Sequence, residues 1–209
     1  MTDPVVTRLI LIRHAQTQYD KSCVPPENPP LDPEVGHDYA AMRSAIPDDY
    51  RWLISPLKRC QDTARLLIKN GAKLASQQND DRLREQSYGQ WHGQKISMLW
   101  ESELAQLDKH NWHFLHPNHV PPDGESFAQV MTRLAPVINE YADQNTVLVT
   151  HGMVIRALLG LALGMTADQS LSINIAPLSL TELSYMKSGS SDVAANGGQW
   201  QLNYLNRAY

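Results

Sequence analysis

The chain has 209 residues and a formal charge of −4, with 42% apolar and 19% charged side chains. That is an ordinary globular composition, and it excludes a disordered or collagen-like chain and a general binder of nucleic acid or anionic membrane, either of which needs a concentrated basic surface. Cys23 and Cys60 are the two cysteines, too few for a disulfide framework, so a reducing, cytoplasmic location is expected.

Val5–Ile12 is β-branched and almost continuously apolar, as in a strand buried on both faces of a parallel sheet. Prolines at 25, 26, 29, 30 and 33 make the next stretch a loop. A helix is expected from about Pro33 to Ala45, then a short strand over Arg51–Ile54. Ser55-Pro56 reads as an N-cap followed by proline in the first helical turn. The helix after it carries Leu57, Cys60, Ala64, Leu67 and Ile68 on one face, with Arg59 off that stripe, and stops at Asn70-Gly71.

Residues 82–125 are less regular. Ile96, Leu99, Trp100, Leu104 and Leu107 suggest one helix there, and 90–125 reads as an insertion over one end of the sheet. Ser126 and Gln129 form a capping box. Phe127, Val130, Met131, Leu134, Val137, Ile138 and Tyr141 then make a helical stripe with a kink expected at Pro136. Thr146–Thr150 is a second buried-type strand, and a helix from about Met153 to Leu163 follows. That greasy stretch, broken by Arg156, falls short of the roughly 20 residues that span a bilayer. Segments near 171–175, 179–186 and 199–206 read as strands, with Lys187–Gly198 as a hairpin loop. The alternation predicts an α/β fold, doubly wound, with a mainly parallel sheet, helices on both faces, and one domain over 1–209 carrying a lid-like insertion at about 90–125.

In open α/β sheets, ligands bind beyond the carboxyl ends of the strands. Two strands here end alike, in Leu11-Ile12-Arg13-His14 and in Leu148-Val149-Thr150-His151-Gly152. If those strands are neighbours, His14 and His151 face each other, and Arg59 can reach the same edge. Guanidinium groups repel a cation, so this is a poor metal site and a good oxyanion site. A neutral imidazole there can attack phosphorus, and Glu85 can supply a proton to the leaving oxygen. The spacing of His110, His113, His116 and His119 invites a metal reading, but Pro117, Pro121 and Pro122 argue for a loop over the site instead.

At this point a resemblance enters. Residues 11–17 (Leu-Ile-Arg-His-Ala-Gln-Thr) resemble the signature of the histidine phosphatase superfamily, in its phosphoglycerate-mutase-like branch. Residues 28–40, 55–64, 83–93, 123–126 and 147–152 are similar to its later motifs in the same order. The resemblance implies that His14 is the nucleophile and becomes phosphohistidine. It implies that Arg13, Arg59 and His151 hold the phosphoryl group, with Thr17 and the Gly152 amide adding hydrogen bonds, and that Glu85 gives and later takes the proton. No metal or other cofactor is expected, and the only expected partner is a small phosphorylated metabolite, with no nucleic acid and no membrane. Ala15 stands where the family most often has Gly. Asp20 stands where many members have Asn, so it either points away or alters the pocket. The expected reaction is phosphomonoester hydrolysis. A phosphoglycerate-type mutase and a non-catalytic phosphoryl-ligand sensor are the alternatives, and the oligomeric state is open.

Overall fold

The computed structural model describes residues 5–102, 104–141, 144–187 and 199–209. Its six strands are β1 (Val5–Arg13), β2 (Tyr50–Ile54), β3 (Leu74–Asn79), β4 (Thr146–Thr150), β5 (Ser179–Lys187) and β6 (Trp200–Ala208), ordered β3-β2-β4-β1-β5-β6 in one sheet. The pairings β1–β4, β2–β4 and β2–β3 are parallel, whereas β5 lies antiparallel to β1 and to β6. The sheet is therefore mainly parallel, with an antiparallel edge.

Period-two alternation in β1 sends Leu9 and Leu11 to one face and Ile10 and Ile12 to the other. The first pair joins Leu148 and the apolar stripes of α4 (Phe127–Tyr141) and α5 (Gly152–Leu163). The second joins Trp52, Ile54 and Val149 beneath α1 (Tyr39–Ser44) and α2 (Lys58–Lys69). Helices thus cover both faces, as the sequence pattern predicts.

A third apolar cluster stands apart from the sheet. Val24, Tyr88, Trp91, Leu99, Leu104 and Leu115 form it, joined by Trp100 of α3 (Ile96–Ser102). Val24 of the proline-rich loop donates its N–H to Gln94 O (2.8 Å) and accepts from Gly93 N (3.0 Å), so loop and insertion are sewn together.

Several expectations need correction. The first helix starts only at Tyr39, because residues 33–38 lie in loop and Asp38 supplies the cap, accepting from Ala41 N. Ser55-Pro56 does not open α2; Leu57 is its N-cap, and the Ser55 hydroxyl is used elsewhere. Ile68 lies at 36% exposure rather than on the buried face. The expected single helix after residue 96 is α3 plus a 3-10 turn over Leu104–Gln106. Residues 171–175 are not a strand: the capping box of Thr166 and Gln169 starts α6 (Ala167–Leu171), and irregular chain follows. The edge strand β3 has no counterpart among the predicted elements, because its polar, exposed residues show no alternation. The capping box of Ser126 and Gln129 is present, and Pro136 lies inside α4. The hairpin loop expected over Lys187–Gly198 falls, from residue 188 on, outside the described residues.

Candidate active site

Strand register builds the site. Arg13 pairs with Thr150 across β1–β4, and Ile54 pairs with Val149 across β2–β4. Hence His14, His151 and Ser55 leave the sheet at one edge. The imidazole rings of His14 and His151 stand 5.1 Å apart between centroids, with planes at 61°.

The hydrogen bonds fix the tautomers. His14 Nδ1 donates to the carbonyl of Ala15 (2.7 Å), so Nε2 keeps its lone pair. Arg59 Nε directs its N–H at this lone pair and at Nδ1 of His151, each at 3.2 Å. His151 therefore carries its proton on Nε2 and donates it to Ser55 Oγ at 2.7 Å. Burial, and after it the charge of Arg59, holds both imidazoles well below the usual histidine range, so both are neutral at pH 7. The turn after β1 is pinned to α2 through Thr63, whose hydroxyl accepts from Ala15 N (3.0 Å) and donates to Arg59 O (2.7 Å).

These groups face a cavity of about 260 Å³. Arg13, Thr17, Arg59, Glu85 and Gly152 line it with His14; His151 sits directly behind, fully buried. Arg59 is braced by Nη1 on the carbonyl of Glu27 (2.8 Å). Arg13 rests its Nη1 on the carbonyl of Ile175, and among the described residues its buried Nε has no hydrogen-bond partner. Glu85 accepts from the amides of Gln86 and Met153, both at 3.2 Å, and so sits on the first turn of α5. The lining carries four arginines, at 13, 59, 84 and 156, against the carboxylates of Glu27 and Glu85. In a chain of net charge −4 this is a local excess of positive charge suited to an oxyanion.

Asp20 points away. Its carboxylate accepts from the amide (2.9 Å) and hydroxyl (2.8 Å) of Ser22, so it closes a turn and does not line the cavity. The histidine run divides too. His110, His113 and His116 each accept on Nδ1 from the amide two residues ahead, at 3.2 Å, and His119 stacks on Trp91. Each of those three rings thus serves its own turn. Among the described residues, no group of three or more His, Cys, Asp or Glu side chains is gathered as a metal site. Only His113 of the run lines the cavity. Cys23 and Cys60 are free thiols, and no helix among the described residues is long and apolar enough to cross a membrane.

Sequence reasoning missed four contributors. Ser55 was hidden by its resemblance to a cap. Tyr19 and Tyr88 line the cavity without any local motif. Arg156 also lines it, and its signal was a lone charge in an otherwise apolar helix.

The family profile of the histidine phosphatase superfamily (branch 1) matches residues 9–196. Glucosyl-3-phosphoglycerate phosphatase of Mycolicibacterium vanbaalenii is 29% identical over 182 residues, covering 78% of this chain and 77% of that protein. Bifunctional protein Rv2228c of Mycobacterium tuberculosis is 32% identical over 204 residues; the match takes in 90% of this chain but only 52% of that protein, about half its length. The native structure of a mycobacterial glucosyl-3-phosphoglycerate phosphatase superposes with a TM-score of 0.76 at 26% identity, covering 98% of this chain and 100% of that one.

Proposed function

The chain belongs to the histidine phosphatase superfamily and is a phosphoric monoester hydrolase acting on a small phosphorylated metabolite, and we propose that it works through a phosphohistidine formed on His14. The bare Nε2 of His14, held beside Arg59 and opposite His151, is the observation that carries this reading. On binding, the phosphoryl oxygens take over the N–H that Arg59 now gives to the two imidazoles. The Arg13 guanidinium, the Thr17 hydroxyl and the Gly152 amide supply further donors. His14 Nε2 attacks phosphorus, the bond to the leaving oxygen breaks, and Glu85 protonates that oxygen. Water then attacks the phosphohistidine while Glu85 takes its proton, releasing inorganic phosphate and restoring neutral His14. The guanidinium groups provide the positive charge that a metal ion supplies in other phosphoryl transfers, so no step calls for one.

We read the chain as one catalytic domain in which 90–125 forms the lid. The cavity lies below the roughly 300–1,000 Å³ usual for drug-sized ligands, which supports a compact substrate. The free thiols support a cytoplasmic setting.

Rapid quenching followed by intact-mass measurement tests the mechanism. Wild-type protein should gain one phosphoryl group. His14→Ala should gain none and lose roughly 10³-fold or more in kcat. Turnover retained by that variant would remove His14 as the nucleophile. Return of the phosphoryl group to another substrate hydroxyl, in place of release, would make the enzyme a mutase.

A further inference from the structure

Residues 123–126 stand out in the sequence, yet none of them lines the cavity. Their use lies one layer back, against the chain that carries Glu85. Gly124 is pressed onto that chain, since a Cβ there would stand 2.8 Å from the carbonyl oxygen of Ser87. Glu125 N donates to the same oxygen (2.8 Å), and the Glu125 carbonyl accepts from Nε2 of Gln86 (2.8 Å). The two residues that follow Glu85 are thus fastened to Glu125.

The residues before Glu85 are fastened as well. The carbonyls of Arg82, Leu83 and Arg84, three in succession, are each taken by a side chain. Thr150 Oγ1 donates to Leu83 O (2.9 Å). Arg133 of α4 takes the other two, Nη1 donating to Arg82 O and Nη2 to Arg84 O (2.6 Å). The Arg84 carbonyl belongs to the peptide bond that enters Glu85, so the guanidinium grips the main chain at the residue itself. The same group forms a two-pronged ion pair with the Glu125 carboxylate, Nε to Oε1 at 2.7 Å and Nη2 to Oε2 at 3.2 Å. A lysine, being a point charge, cannot span these acceptors. Arg133 and Glu125 together therefore hold the chain on both sides of Glu85.

The Glu85 carboxyl group needs such a frame. Its bonds from Gln86 N and Met153 N converge on one oxygen, Oε1, and at 3.2 Å both are at the long end of the hydrogen-bond range. Where the carboxyl group stands is then decided mainly by the main chain that carries it. Proton transfer requires hydrogen-bond reach of the leaving oxygen, and a displacement of about 1 Å can cost on the order of 10²-fold in rate.

We propose that Arg133, paired with Glu125, is a positioning residue for proton transfer by Glu85. It acts through the main chain, since it does not line the cavity. The inference rests on the phosphatase reading above and deepens it.

The test reads kcat/KM, which covers the steps through departure of the leaving oxygen, for glycerol 3-phosphate and p-nitrophenyl phosphate. The first leaving oxygen needs a proton and the second hardly does. Arg133→Lys should slow the first ester by roughly 10- to 100-fold and the second by less than about threefold. Glu125→Gln, which leaves the main-chain bonds of Glu125 in place, should shift the ratio the same way but less steeply. On a Glu85→Gln background, Arg133→Lys should cost glycerol 3-phosphate less than about threefold more, because no proton remains to be placed. A purely structural part would slow both esters alike and multiply with Glu85→Gln, and either result would overturn the clamp. If Arg133→Lys does not fold, the ratio in Glu125→Gln decides alone. Equal slowing of the two esters by Glu85→Gln itself would instead remove the general acid, and the positioning role with it.

Discussion

The Ser55 hydroxyl lies 2.7 Å from Nε2 of His151, and both side chains are fully buried. The bond spans two strand ends, from β2 to β4, and fixes which nitrogen of His151 faces Arg59. Ser55→Ala would leave a buried N–H with only the sulfur of Cys60, 3.4 Å away, as a weak acceptor. The variant should lose about 1–3 kcal/mol of stability and roughly tenfold in kcat. Urea unfolding and steady-state kinetics check the two effects, and unchanged kcat would show that His151 needs no such restraint.

Glu85→Gln keeps an acceptor for the Met153 amide but removes the transferable proton. Hydrolysis of alkyl phosphates should slow by roughly 10²–10⁴-fold. p-Nitrophenyl phosphate, whose leaving group hardly needs protonation, should slow far less. Equal slowing of both would end the general-acid role.

Acid should destabilise the native protein through its histidines. His14 and His151 lie well below 6.5, chiefly by burial and next by the charge of Arg59; burial and Arg156 push His113 down to about 4. The unfolded chain therefore binds more protons than the native one below about pH 6.5. Stability falls as pH drops through that value, by up to about 1.4 kcal/mol per pH unit for each histidine, and the share of His113 ends near pH 4. Urea midpoints between pH 7 and pH 5 should fall accordingly, with a shallower slope in His113→Gln. A flat profile would contradict the neutral imidazoles.

Gly89 has a φ of +52°, and an added Cβ would come within 1.9 Å of the carbonyl oxygen of Pro122. Gly89→Ala must push residues 122–124 aside at a cost of about 1–3 kcal/mol. Ser87, Tyr88 and His92 line the cavity on either side of it, so KM should rise more than kcat falls. An unaltered KM would show that this turn does not shape the pocket.

The convergence of Arg13, His14 and His151 was readable because strand physics is local. Nearly continuous apolar runs announced β1 and β4, and the rule that ligands sit past the strand ends singled out Arg13, His14 and His151. Ser55 was misread because Ser-Pro is a sound local capping signal, yet the register with β4 claims its hydroxyl for His151. Leu171–Ile175 alternates like a strand, but the capping box upstream starts a helix and the carbonyls beyond serve Arg13 and Arg156. β3 is a polar edge strand, and nothing on its faces encodes it. Arg156 showed itself only as an interruption, since periodicity assigns a residue to a face and is silent about what lies opposite.

The stitching of Val24 to Gly93 and Gln94, over an apolar cluster separate from the sheet, divides mechanical responsibility within the protein. Drift in that separately packed wall can recast what the cavity admits while the side chains at the strand tips keep their alignment. Substrate range and chemical competence are thereby free to diverge at different evolutionary tempos.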